Sequence, residues 1–171
     1  MNRPTVVITH HTGGTDADPK ADTSNHTVGI IDAWHRTRWP DFYSSKGWWV
    51  GYHFFIEKDG KITQTRALNE EGAHTIGMNN SSIGICFAGN FDVTMPTEAQ
   101  LNSFYKIYDD LLTKFPNIPT FPHRKYAAKT CHGSLLQDNY FVISEQIHTL
   151  RMKVDQLKAQ LLSLVTGRRQ R

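Results

Sequence analysis

The sequence predicts an α/β domain built on a mixed central β-sheet flanked by helices, with a long amphipathic helix at its C-terminal end. Three observations predict it. Strand-like and helix-like patterns follow one another as β, α, β-hairpin, β, α, β, α. The stretch "SIGICFAG" (82–89) is almost continuously apolar, as in a strand buried on both faces. "VGYHFFIEKDGKITQTRAL" reads as two strands joined at Asp59-Gly60, a strong hairpin signal.

The elements follow in order. "TVVIT" (5–9) is a short β-branched strand that ends at His10, and "HTGGTDADPKADTSN" is a loop rich in Gly, Asp and Pro. From Thr27, a candidate N-cap, Val28, Ile31 and Trp34 recur at helical spacing to about Arg38. After the hairpin and the buried strand, Thr97 and Gln100 form a capping box. The helix they open has Leu101, Phe104, Tyr108, Leu111 and Phe115 on its apolar face. "NIPTFPH" allows at most a short strand leading to His123. Finally Ile143, Ile147, Leu150, Val154, Leu157, Leu161 and Leu164 succeed one another at spacings of four and three. This heptad pattern predicts homo-oligomerisation through residues 143–164 as an alternative to packing on the domain.

At 171 residues, one core suffices. The expected division is a folded domain over residues 1–142 and a heptad helix with a basic tail over 143–171. Residues 151–171 hold six basic side chains against Asp155, a net +5, whereas the whole chain carries +3, so residues 1–150 carry −2. Basicity concentrated at one end disfavours a nucleic-acid-binding core and suits a tail touching an anionic envelope component. No apolar run approaches the ~18–20 residues of a membrane span. The opening lacks the apolar core of a signal peptide, so the expected location is the cytoplasm until release by another route. Two cysteines do not make a disulfide framework; Cys86 reads as a small hydrophobe in a buried strand, whereas Cys131 lies in a polar segment.

Of nine histidines, His26, His35 and His148 have polar neighbours and read as solvated, and His132 has no evident role. His10, His11, His53, His74 and His123 stand at strand ends or beside glycine. His10, His123 and Cys131 would give a His₂Cys zinc site with a fourth position open to water. A Cys–His nucleophile pair is the competing chemistry, and spacing does not separate the two.

In order, "VVITHHTGG", "GIIDAWHRTR", "VGYHFFIEKDGKI", "EGAHTIGMNNSSIGICFAGN", "PTEAQL" and "HRKYAAKTC" resemble the zinc N-acetylmuramoyl-L-alanine amidases that share a fold with peptidoglycan recognition proteins. The small phage amidases called lysozymes are the branch most resembled. The resemblance spans roughly residues 5–135 and implies Zn²⁺ held by His10, His123 and Cys131, with Tyr52 and Lys129 as catalytic residues. It implies a peptidoglycan substrate, with His53, His74, Asn79 and Asn80 as candidate contacts. Trp48 and Trp49 would line the cleft mouth or plug the end of the sheet. Receptors of this fold that only bind peptidoglycan typically lose the cysteine, which this chain keeps. The leading expectation is a phage endolysin. A cell-wall-recycling amidase, a non-catalytic receptor and a regulator that binds RNA polymerase are the other readings, the last resting on one phage relative. After Cys131 this chain has His132-Gly133 where many relatives have Pro or Gly-Pro, and the heptad helix lies outside the resemblance.

Overall fold

The structure, a computed structural model, describes residues 2–167. Arg168, Arg169 and Arg171 of the expected basic tail lie outside the described residues. The chain divides into two compact units, Met1–Asn139 and Tyr140–Arg171.

The first unit is a five-stranded sheet in the order β3-β2-β4-β1-β5, comprising β1 (Val6–His11), β2 (Phe54–Ile56), β3 (Ile62–Gln64), β4 (Ser82–Phe87) and β5 (Thr120–Pro122). β1 pairs in parallel with β4 and β5, and β2 in parallel with β4. Only β2 and β3 are antiparallel, so the sheet is mixed as expected. The hairpin turn is longer than a two-residue loop. Gly60, at φ 87°, donates its N–H to Glu57 O, and within this turn it is the residue that takes the glycine-type conformation.

β1 and β4, the central strands, are buried at every position. Neighbours across a sheet share a face, so Phe55, Cys86 and His10 form one row. Helix α1 (Val28–Arg38) packs on that face, where Val28 and Ile31 join Val50, Phe55, Cys86 and Ala88 in one cluster. Phe87, one residue on, points the other way. It meets Phe104 of helix α2 (Glu98–Lys114), ring centroids 6.1 Å apart. The two helices thus cover opposite faces.

The capping box is formed. Thr97 accepts from Gln100 N–H, and the Gln100 side chain accepts from Thr97 N–H. The buried face of α2 is broader than the periodicity indicated, since Tyr105, Ile107 and Gln100 also face inward. Gln100 is accommodated because its amide donates to Ala88 O at 2.8 Å. Thr27 takes the N-cap position of α1 but makes no side-chain cap bond. Glu57, from the hairpin loop, accepts the Val28 N–H instead.

The described residues of the second unit form one helix, α3 (Tyr140–Gly167). Its heptad residues from Ile143 to Leu164 are all exposed.

Candidate metal centre

β1 runs two residues past the segment its β-branched residues mark, and the extension carries His10 and His11. β5 delivers His123 directly into a single 3-10 turn, His123–Lys125. Because β5 lies against β1, the imidazoles of His10 and His123 come within 4.5 Å between centroids. The segment after the turn brings back Cys131, whose sulfur is 3.7 Å from His10 Nδ1. The donor atoms of His10, His123 and Cys131 all lie within 4.8 Å of one another.

This set fits zinc. Nitrogen at ~2.0 Å and sulfur at ~2.3 Å around a tetrahedral ion would stand about 3.5 Å apart, close to the His10–Cys131 separation. Both histidines are in the neutral form a metal needs. Burial, then His74 and His123, hold His10 well below the usual imidazole range, while burial and Lys129 bring His123 to about 4. Burial pushes the Cys131 thiol up to about 12, against the His11 backbone N–H and Lys129, which favour the thiolate.

His74 fixes the orientation of the His10 ring. His10 Nε2 lies 3.1 Å from His74 Nδ1, so an N–H on Nε2 donated there leaves His10 Nδ1 as the lone-pair nitrogen facing Cys131. Asn79 in turn braces the His74 loop, its side-chain oxygen accepting from His74 N–H and Thr75 N–H at 2.9 and 2.8 Å. The Tyr52 ring is 5.0 Å from that of His10, and burial raises its hydroxyl well above the usual phenol range.

These groups line a cleft of about 980 Å³ whose wall includes Thr12, Gly13, Arg38, Tyr52, Asn79 and Lys129. Lys129 is exposed on that wall. Two expected substrate contacts lie elsewhere. His53 is fully buried, with Nε2 on Glu70 O and Nδ1 on Gly84 N–H, and has no nitrogen left for a ligand. Asn80 is exposed outside the cleft lining, and its carbonyl accepts Arg3 N–H. Nor do the paired tryptophans line the cleft: Trp48 packs on the core and Trp49 donates its indole N–H to Pro40 O, while Trp39 lines the wall instead.

His35, which reads as solvated in the sequence, is half-buried and accepts Gly51 N–H at 2.9 Å, tying α1 to the turn that carries Tyr52. His11 accepts Phe91 N–H and lines the cleft. Their only sequence signal is position, one beside His10 and the other in the last turn of α1.

The profile of the N-acetylmuramoyl-L-alanine amidase family matches residues 1–134. The chain is 30% identical over 125 residues to an endolysin of Enterobacteria phage K11, covering 68% of this chain and 78% of that one. It is 29% identical over 137 residues to peptidoglycan-recognition protein SC2 of Drosophila melanogaster, covering 78% of this chain and 70% of that one. Among solved structures, the N-acetylmuramoyl-L-alanine amidase LysC from Clostridium intestinale superposes with a TM-score of 0.63 at 28% identity. That match covers 88% of this chain and 87% of that one.

Proposed function

The chain belongs to the N-acetylmuramoyl-L-alanine amidase family, and from that premise we propose that it hydrolyses the amide between N-acetylmuramic acid and L-alanine of peptidoglycan with a zinc ion held by His10, His123 and Cys131. Its activity is that of a peptidoglycan amidase. The observation that carries the zinc reading is the convergence of two imidazoles and one thiol within 4.8 Å on the cleft wall.

Bound there, zinc would supply Lewis acidity and a water acidic enough to lose its proton near neutral pH. The chain's own groups do the rest. His74 holds the proton on His10 Nε2 and fixes the ring. A thiolate from Cys131 lowers the positive charge of the centre relative to three histidines, so charge brought in from elsewhere matters more to the oxyanion. Lys129, exposed on the cleft wall, supplies it to the oxygen on which negative charge develops. In this reading the hydroxyl of Tyr52, whose ring stands beside that of His10, hydrogen-bonds the attacking water or the oxyanion.

The similarity to a phage endolysin supports a role in host lysis. No helix among the described residues is long and apolar enough to cross a membrane. Peptidoglycan binding without cleavage is a second reading, favoured by the similarity to a recognition protein and disfavoured by the complete His₂Cys set.

Purified sacculi separate the two. The expected products by mass spectrometry are stem peptides with a free L-alanine amine, abolished by chelator and by Cys131→Ser, from protein carrying about one zinc per chain. Sacculus binding without release of peptide supports the receptor reading, and chelator-insensitive cleavage rejects the zinc reading.

A further inference from the structure

Helix α3 carries a stripe that amidase chemistry does not use. Ile143, Ile147, Leu150, Val154, Leu157, Leu161 and Leu164 are 40–66% exposed along 28 residues, a length of about 42 Å. A contiguous apolar stripe of this kind calls for an occupant.

The flanking charges select it. At roughly 100° per residue, Arg151 and Lys158 fall about 70–90° to one side of the stripe and Lys153 about 70° to the other. The acidic residues Glu145 and Asp155 fall roughly 130–150° away, on the far side. Lys158 and Asp155 approach to 3.4 Å, but both are more than 70% exposed and such a pair is worth little.

In a coiled coil the flanking positions face the partner helix. Among the described residues they are Ser144, Gln146, Arg151, Lys153, Lys158 and Gln160, so every charge there is positive. A parallel copy would set Lys153 against Lys158, and an antiparallel copy would oppose only cations or neutral groups. The heptad spacing alone favours a second copy; the charges beside it oppose one.

We propose that α3 lies in the surface of a bilayer of anionic phospholipid, its apolar stripe among the acyl chains and Arg151, Lys153 and Lys158 at the headgroups. The stems of lysine and arginine reach outward beside a buried stripe, so cations at the edges suit an interface. The helix is not apolar enough to span. The proposal stands independently of the amide-bond chemistry.

The test is co-sedimentation of the full chain with vesicles of phosphatidylglycerol and phosphatidylethanolamine, and with vesicles of phosphatidylcholine. The chain is expected to sediment with the first and to be released by high salt. Replacing Arg151, Lys153 and Lys158 by Gln should weaken partitioning about 100-fold, roughly fivefold per cation. The variant Leu157→Gln/Leu161→Gln should lose it while keeping amidase activity on sacculi. Failure of the wild-type chain to bind anionic vesicles overturns the proposal, as does unchanged binding by the leucine variant. A two-chain mass in light scattering that the leucine variant halves assigns the stripe to a second copy and also overturns it.

Discussion

His132 shows how a single side chain changes meaning on folding. Beside Cys131 in sequence it has no evident role, yet it is almost wholly buried, with Nδ1 2.5 Å from the Thr9 hydroxyl and Nε2 3.3 Å from Gln137 O. Thr9 precedes His10 on β1 and points to the opposite face of the sheet, so His132 anchors the Cys131 segment to the strand that carries His10. Lys129, two residues before Cys131, instead stands exposed on the cleft wall. If it stabilises the developing oxyanion, Lys129→Ala should lower kcat about 10²–10³-fold with zinc content unchanged. Steady-state kinetics alongside metal analysis checks this; a lost zinc ion would make Lys129 a structural support of the site.

Among the elements, β4 constrains the site without contributing a residue to the His10, His123 and Cys131 set. An added Cβ at Gly84 would lie 2.6–2.8 Å from three atoms of the His74 ring. Gly84→Ala should therefore displace His74 from His10 and weaken zinc binding about 10–100-fold while the strand still forms. Competition with a chromophoric chelator measures the loss, and unchanged affinity would remove His74 from its positioning role. Helix α2 was legible at its start because capping is local: Thr97 and Gln100 are three residues apart. The N-terminus of α1 was placed correctly at Thr27, but the group that caps it was not legible because it is not local. The group that meets Val28 N–H is Glu57, brought there by the hairpin.

Across the molecule, neutral histidines govern the response to acid. Burial brings His11, His35, His53 and His132 to about 4, below the unfolded value of ~6.5. Each binds its proton more readily in the unfolded chain. Their contribution to stability is complete above ~6.5 and lost as pH falls through about 4. The metal-free protein should accordingly show a Tm that is level near pH 7–8 and falls steeply between pH 6.5 and 4 in scanning calorimetry. A level Tm across that interval would mean these rings are hydrated or protonated in the native state.

The mixed sheet, the order of its elements, the capping box and the apolar seam of α3 were determined by the sequence itself, because periodicity, turn residues and caps act over a few positions. Residue types and strand ends offered His10, His123 and Cys131 either as a metal set or as a source of a Cys–His pair, and only likeness to a family chose between them, since nothing local joins residues more than a hundred positions apart. Tertiary structure decided the rest. The parallel pairing of β1 with β5 brings His123 beside His10. Packing turned His53, His35 and His132 inward to satisfy backbone and side-chain groups and left Lys129 on the cleft wall. The physical reason is that a titratable side chain takes its role from its burial and its partners, and both are set by strands and loops distant in the chain.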